Sequence, residues 1–303
     1  MRAPDKSSHG QHPMTLRDAL SLGRVSNLPT VWSNMLAALV LAGGTLGDGR
    51  VAALLAGLTL FYVGGMYLND AFDAEADARE RPERPIPAGR VGRGTVYALG
   101  FGMLALGIAC LAWTGLGVAG GTGVWPLLGG LALAAAIVFY DWYHKANPLS
   151  PVVMGACRFL VYVATGLAIT VPLPPALLLG GGLLLCYVIG LTYVAKQETL
   201  GRVRNLWPLL FLAAPLAYGL VLAGDYPLVL VYLAPLAAWM ALALWLIRRR
   251  GPGDIPRAVV SLIAGISLYD AMLIAGTGNL GLAGLALLGF FLTLGLQRYV
   301  AGT

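Results

Sequence analysis

The chain has 303 residues, of which 58% are hydrophobic and only 11% charged, and its formal net charge is +6. Soluble domains carry about 25% charged residues, so this composition excludes an ordinary soluble domain and indicates a polytopic membrane protein. The basic residues are spread over short segments between apolar stretches, which is typical of membrane orientation. No nucleic-acid partner is therefore expected.

The first twenty residues are polar and lack the apolar core of a cleaved signal peptide. We expect residues 1–27 to form a cytoplasmic N-terminal tail and an interfacial segment. Apolar segments then follow one another closely, so residues 28–300 are expected to form one transmembrane bundle.

Windows of about 20 apolar residues predict the membrane-spanning helices. The candidate helices are 28–47, 51–70, 95–117, 124–143, 150–171, 176–195, 206–224, 226–247, 255–276 and 280–299. The expected fold is therefore an all-α, polytopic transmembrane bundle of nine to ten spans. The doubtful span is 255–276, which contains Asp270 and is rich in Gly, and its alternative is a tilted or interfacial helix.

The distribution of charge predicts the orientation of the bundle. If ten segments cross the membrane from a cytoplasmic N-terminus, nineteen of the twenty Lys and Arg lie on the cytoplasmic side or at its boundary. Only Arg50 lies opposite. This asymmetry agrees with the positive-inside rule.

Residues 67–91 contain six of the fourteen acidic residues of the chain. In a helix each residue advances about 100°, so Asp70, Asp73 and Asp77 lie within about 60° of one another, whereas Glu75 points away. Three carboxylates on one face repel one another unless a cation lies between them. Hard oxygen ligands without His or Cys suit Mg²⁺ together with a phosphate-bearing substrate. The alternative is an ordinary charged loop between membrane helices.

The segment after these aspartates is rich in arginine and proline. Arg81 and Arg84 would form an anion site if they turn inward. Pro82, Pro85 and Pro87 prevent the helix from continuing, because proline lacks a backbone N–H and restricts the residue before it. We therefore expect an ordered loop at this position.

The stretch resembles the first aspartate-rich motif of the UbiA superfamily of intramembrane prenyltransferases. The resemblance lies in Asn69-Asp70-x-x-Asp73-x-x-x-Asp77, then Arg81-x-x-Arg84-Pro85, then Gly89-Arg90. It implies transfer of an isoprenoid group from a polyprenyl diphosphate to an unidentified acceptor in the lipid bilayer. It also implies Mg²⁺ as cofactor, held by Asp70, Asp73 and Asp77, with Asn69 orienting the ligands or their waters.

Polar side chains around the first apolar segment add to the expected site. Arg24, Asn27 and Asn34 are costly at membrane depth unless they have partners. Asn27 is similar to an Asn that lines the substrate chamber in the family, and Asn34 lies two turns further in. The alternative for Asn27 is simple helix capping.

Further candidates follow the fourth apolar segment. Lys145 matches a cationic position that contacts the diphosphate in the family. Arg158 lies inside an apolar helix, where it needs an anion or a buried carboxylate, so it is a substrate-binding candidate. Tyr140 and Tyr193 either offer ring faces to an allylic cation or act as interfacial aromatic residues.

The sixth apolar segment ends where the family carries a second aspartate-rich motif. Here Glu198 is the only acidic residue, and Lys196 and Arg202 lie beside it. We therefore expect one strongly bound Mg²⁺, with the two cations replacing a second ion on the diphosphate. Glu198 together with a water or a substrate oxygen is the alternative holder of a second ion.

The Lys196-Gln197-Glu198 form resembles the divergent bacterial EboC-like branch of the superfamily. This implies a location in the bacterial inner membrane, and the charge distribution described above predicts that the site opens to the cytoplasm. Two other functions remain open: a non-catalytic lipid-binding or lipid-transport protein that kept the fold, and a terpene cyclase of the UbiA type. A CDP-alcohol phosphotransferase is disfavoured because its DG-x-x-AR arrangement is missing.

Overall fold

The computed structural model describes residues 14–145, 147–196 and 207–302. Within these ranges the secondary structure is entirely helical, which confirms the predicted fold class. The α-helices in chain order are α1 Leu16–Leu22, α2 Leu28–Leu41, α3 Val51–Glu80, α4 Arg93–Leu116, α5 Trp125–Tyr143, α6 Ser150–Ile169, α7 Pro175–Lys196, α8 Ala213–Asp225, α9 Leu230–Arg249, α10 Asp254–Ala275 and α11 Leu280–Leu296.

The apolar segments predicted from the sequence all coincide with helices. In the described part of the chain, eight helical segments are long and apolar enough to cross a membrane. Two shorter apolar helices, Val25–Leu41 and Leu280–Leu296, accompany them. The protein is therefore an integral, multi-pass helical membrane protein, and the predicted nine to ten spans correspond to these eight long and two short helices.

Proline and small polar residues account for several of the helix boundaries. Pro29, Pro126 and Pro151 lie in the first turns of α2, α5 and α6, where a missing N–H costs nothing. At the start of α11 the side chain of Asn279 accepts a hydrogen bond from the Leu282 amide at 3.1 Å. The local sequence thus determines where several of the helices begin.

Helix α10 lies at the centre of one half of the bundle. It contacts α2, α7, α9 and α11, and 89% of its apolar stretch is buried. This burial excludes an interfacial position for the 255–276 segment. Asp270, the residue that made this segment doubtful, is fully buried and hydrogen-bonded.

The other half of the bundle depends on close packing of α3 against α4. A Cβ atom on Gly64 would lie 2.9 Å from the carbonyl oxygen of Gly100, and one on Gly100 would lie 2.7 Å from Cγ of Leu68. Small residues allow such close approach between helices in lipid. This packing fixes α3, which carries the aspartate motif beyond the predicted end at residue 70 to Glu80.

The described part of the N-terminal segment packs on the same region. Asp18 in α1 pairs with Arg90 at 2.8 Å, and Tyr67 in α3 donates a hydrogen bond to the carbonyl oxygen of Ala19. Hydrogen bonds from Thr15 and Arg90 hold the pKa of Asp18 below its ordinary value. α1 is therefore held against α3 and against the loop that follows the aspartate motif.

Candidate prenyl diphosphate site

A cavity of about 520 Å³ runs along α3. Its lining extends from Leu58 to Glu80 on this helix, a distance of about 33 Å at 1.5 Å per residue. The apolar lining comes from the middle of the helices, and includes Leu58, Phe61, Leu133, Ile137, Val161 and Val188. The polar lining comes mainly from the C-terminal halves of α3, α5 and α7 and the residues that directly follow α5, and includes Asn69, Asp73, Asp77, Asp141, His144, Lys145 and Lys196. The cavity thus joins a charged mouth to an apolar chamber.

Asp70 and Asp77 lie on one face of α3, as the helical spacing predicts. Arg84 bridges them, with Nη1 at 3.2 Å from Asp70 and 2.8 Å from Asp77. Arg24 approaches Asp70 at 2.9 Å and Asn69 at 3.2 Å. The loop after α3 therefore turns Arg84 inward, and the two carboxylates are each neutralised by an arginine.

Asp73 has different partners, which come from the end of α5. Lys145 Nζ lies 3.2 Å from one carboxylate oxygen and His144 Nε2 lies 3.4 Å from the other. The imidazole of His144 stacks on Tyr140, with ring centroids 4.9 Å apart. Lys145 and Tyr140, both sequence candidates, thus line the same side of the mouth as Asp73.

Glu75 and Arg81 complete the motif. The side chain of Glu75 is 84% exposed and pairs with Arg93 at 3.1 Å, as expected for a residue on the opposite face. Arg81 lines the cavity beside Arg84. Both arginines proposed as an anion site therefore face the mouth.

The donors at the mouth suit a hard cation by their chemistry. Asp73, Asp77 and Asp141 present carboxylate oxygens to the cavity, and Oδ2 of Asp141 is buried without a hydrogen-bond partner among the described residues. Oxygen donors of this kind fit Mg²⁺. Nevertheless, no three His, Cys, Asp or Glu side chains in the described ranges are arranged as a metal cluster. The metal site formed by Asp70, Asp73 and Asp77 stays a prediction, and it requires Arg84 to leave the carboxylates.

Arg158 on α6 also lines the cavity. Its guanidinium donates hydrogen bonds to Asn34 Oδ1 at 2.9 Å and to Thr30 Oγ1 at 3.1 Å, and its Cζ lies 5.7 Å from the ring centroid of Tyr62. Arg158 and Tyr62 line the cavity, whereas Asn34 is fully buried behind them. Asn34 therefore reaches the cavity only through Arg158.

Asn27 lines the cavity but its amide is held by the C-terminal segment. Its Nδ2 donates to the carbonyl oxygen of Gly302 at 2.7 Å, and its Oδ1 accepts from Gln297 at 3.1 Å. Gly302 also lines the cavity. The expected substrate-binding amide is thus occupied by protein in this conformation.

Lys196 ends α7 at the mouth. Its ammonium group donates to Ser150 Oγ at 2.8 Å and to the carbonyl oxygen of Asn147 at 2.9 Å, and it lines the cavity. Tyr193, one turn earlier, packs against the hydrophobic core and is not part of the cavity lining. Glu198 and Arg202 lie outside the described residues.

Three polar residues near the cavity were missed as site residues. Asp141 accepts a hydrogen bond from Asn69 at 3.2 Å and faces the cavity. His144 contacts Asp73 and also lines the cavity. Asp270 was used only to question its helix, although a carboxylate in an apolar segment is itself a signal of function.

These features of the fold and the mouth agree with the comparison to protein families. The profile of the UbiA prenyltransferase family matches residues 28–264. The chain belongs to this family. Placement in the EboC-like branch stays a prediction, because the family match does not distinguish branches.

The curated relatives are similar over part of their length. A digeranylgeranylglyceryl phosphate synthase of Ignicoccus hospitalis is 38% identical over 133 residues, which are 43% of this chain and 39% of the relative. A synthase of the same name from Methanopyrus kandleri is 31% identical over 162 residues, 50% of this chain and 54% of the relative. The matches span about half of each relative or less.

Two solved structures support the fold. A UbiA homologue from Aeropyrum pernix K1 has a TM-score of 0.63 at 15% identity and covers 84% of this chain and 98% of its own. A structure described as a digeranylgeranylglyceryl phosphate synthase has a TM-score of 0.61 at 16% identity and covers 86% and 98%. At these identities the likeness concerns the fold alone.

The Arg84 bridge leads to a prediction about stability. Replacing Arg84 with alanine leaves Asp77 without its arginine partner and two neighbouring carboxylates in a mostly buried setting. We expect the free energy of unfolding to fall by about 3 kcal/mol, as when one partner of a buried ion pair is removed. Thermal unfolding of detergent-purified protein in EDTA measures the change.

Arg79→Ala is the matched control, since Arg79 is exposed near the end of α3, close in sequence to Arg84, and its loss removes the same charge. We expect a change within about 0.5 kcal/mol for this surface substitution. Equal stability of the Arg84→Ala and Arg79→Ala variants would show that the bridge contributes nothing.

Proposed function

We propose that the protein transfers a prenyl group from an isoprenoid diphosphate to an acceptor within the membrane, with Mg²⁺. Membership of the UbiA prenyltransferase family supports the reaction class. The observation that carries the proposal is the cavity, in which a charged mouth continues into an apolar chamber along α3. This shape suits a ligand with a diphosphate head and a hydrocarbon tail.

The diphosphate is proposed to bind at the mouth. Lys145, Arg158 and Lys196 line the cavity and supply positive charge. Arg158 and Lys196 are held by neutral oxygen atoms, and in the described part of the chain neither lies within 4 Å of a carboxylate. Their charge is therefore available to a phosphate group.

Asp70, Asp73 and Asp77 are the proposed holders of Mg²⁺, with Asn69 supporting them. When bound, the ion neutralises charge on the diphosphate and orients it as a Lewis acid. Arg84 and Lys145, which now contact these carboxylates, are proposed to turn to the diphosphate oxygens. We propose a single ion, with Lys196 and Arg202 in place of a second one.

The reaction breaks the bond between C1 of the prenyl group and its diphosphate oxygen, whose electron pair leaves with the diphosphate. The acceptor then supplies an electron pair to C1 and loses a proton. The cations at the mouth stabilise the departing anion, since preorganised charge acts most strongly where water is excluded. Tyr140 and Tyr62 line the cavity and offer ring faces to the allylic cation.

The apolar chamber is proposed to hold the prenyl tail. Leu58, Phe61, Leu133 and Ile137 line it and present no charged group to the hydrocarbon. These apolar side chains also keep water away from the allylic cation. Water would otherwise add to the cation and give a prenyl alcohol.

The ion pairs of the three aspartates support a second candidate function. Asp70, Asp73 and Asp77 each have a cationic side chain of the protein as partner. A non-catalytic lipid-binding protein that retained the fold would keep these internal pairs. Diphosphate release in the presence of Mg²⁺ distinguishes the two functions, because the lipid-binding protein releases none.

The role of Asp73 gives the direct test. Asp73→Asn removes a carboxylate from the mouth, and we expect Mg²⁺-dependent release of radiolabelled diphosphate from prenyl diphosphates of several lengths to fall on the order of 10²-fold or more. The bundle should remain folded, because Asp73 is at the cavity and outside the apolar core.

Glu75→Gln is the matched control, since Glu75 lies on the same helix but faces outward. Its turnover should equal that of the wild type. Normal turnover of Asp73→Asn would contradict the assignment of Asp73, and absence of turnover in the wild type with every prenyl diphosphate would favour the lipid-binding function.

We further propose that the mouth opens to the cytoplasm of a bacterial cell, with residues 1–27 on the same side. A cysteine placed at the exposed position Glu83 should then be protected from a membrane-impermeant thiol reagent in intact cells. The background is a variant in which Cys110, Cys157 and Cys186 are replaced by serine.

A cysteine at the exposed position Gly47, in the loop between α2 and α3, is the control and should be labelled from outside. Labelling of the Glu83→Cys variant in intact cells, with protection of the Gly47→Cys variant, would reverse the orientation.

A further inference from the structure

The centre of the bundle contains a carboxylate that the proposed reaction does not use. Asp270 in α10 is fully buried and does not line the cavity. It accepts hydrogen bonds from Ser33 at 2.5 Å, Asn34 at 2.7 Å and Tyr162 at 2.5 Å. Donors from α2 and α6 thus converge on one carboxylate of α10.

Asp270 fixes which way the Asn34 amide points. An ionised carboxylate only accepts hydrogen bonds, so the NH₂ group of Asn34 must face it. The amide oxygen then faces the other way, where it accepts from Arg158 at 2.9 Å. A reversed amide would set oxygen against the carboxylate and NH₂ against the guanidinium, with repulsion at both ends.

The second acceptor of Arg158 is fixed in a similar way. The hydroxyl of Thr30 donates its hydrogen to the carbonyl oxygen of Asn27 at 2.7 Å, so its lone pairs are left for Arg158. Both acceptors are neutral. In the described part of the chain Arg158 makes no ion pair, unlike Arg24 and Arg84, which each pair with aspartates.

Arg158 is therefore oriented by neutral side chains, and no carboxylate contacts it directly in the described part of the chain. Asn34 lies between Asp270 and the guanidinium, so the carboxylate stabilises the cation through an intervening dipole. The N–H groups of Arg158 that do not bond to Asn34 or Thr30 are left for an incoming anion. A direct carboxylate partner would compete with that anion. The guanidinium of Arg158 also lies over the face of the Tyr62 ring, which restricts the movement of the Arg158 side chain.

We propose that Asp270 is a positioning residue that acts through Asn34 to hold Arg158 towards the diphosphate of the substrate. This inference rests on the proposed function, since it takes the anion in the cavity to be a prenyl diphosphate. It assigns a role in substrate binding to a residue that touches neither substrate nor metal.

The test measures binding of geranylgeranyl S-thiolodiphosphate, a slowly cleaved analogue, to the full-length protein in nanodiscs with Mg²⁺. Arg158→Gln should weaken binding by about tenfold or more, as expected for loss of a desolvated charge contact. Asp270→Asn keeps one oxygen that can accept from Ser33 and Asn34, but its NH₂ group cannot accept from Tyr162, and the charge is lost. It should also weaken binding, by several-fold.

A double-mutant cycle separates positioning from simple structural support. If Asp270 acts through Arg158, then Asp270→Asn has little further effect in the Arg158→Gln background. Asp254→Asn is the matched control, because Asp254 is an equally buried carboxylate of α10 that pairs with Arg249, far from Arg158. The affinity of the Asp254→Asn variant for the analogue should stay within about twofold of the wild type, because the two sites are independent.

Asn34→Asp supplies a second arm if Asp270→Asn does not fold. The new carboxyl group faces Asp270, with which it must share a proton, and its other oxygen gives Arg158 a direct acidic partner. It should therefore weaken binding of the analogue. Unchanged binding in Asp270→Asn or Asn34→Asp, or additive effects in the cycle, overturns the inference while Arg158→Gln still supports the proposed function. Lack of analogue binding by the wild type overturns both.

Discussion

The structure depends on neutralising charged side chains inside a low-dielectric bundle. An isolated charge buried in apolar surroundings costs several kcal/mol, so each one needs a partner or a ligand. The described residues meet this need in two ways. Arg24 and Arg84 pair directly with Asp70 and Asp77, whereas Arg158 is held by neutral oxygen atoms, with the Asp270 carboxylate one side chain further away.

These two arrangements have different consequences for ligand binding. The paired arginines give the aspartate motif a stable form, and their bonds must be exchanged when a metal and a diphosphate enter. Arg158 needs no exchange, because its neighbours orient it without competing for an anion. The mouth therefore combines carboxylates for a cation with a cation for the phosphate, beside a chamber that accepts hydrocarbon.

The sequence predicted the features that depend on local pattern. Apolar length identified the spans, helical spacing placed Asp70 and Asp77 on one face, and the prolines predicted the ordered loop that carries Arg84. Contacts between distant helices could not be predicted in this way. Nothing local to Asp270 indicates that α2 and α6 supply its donors, and nothing local to Asn27 indicates that Gly302 occupies its amide.

The central claim is that a metal and a diphosphate replace protein cations at the aspartate motif. Crystals soaked with Mn²⁺ and a non-hydrolysable prenyl diphosphate test it by anomalous scattering. The account predicts one peak at Asp70, Asp73 and Asp77, with Arg84 moved from the carboxylates to the diphosphate. Arg84 still bridging Asp70 and Asp77, with the diphosphate bound and no peak beside them, would contradict the exchange, and two peaks about 3.5–4 Å apart would contradict the single ion.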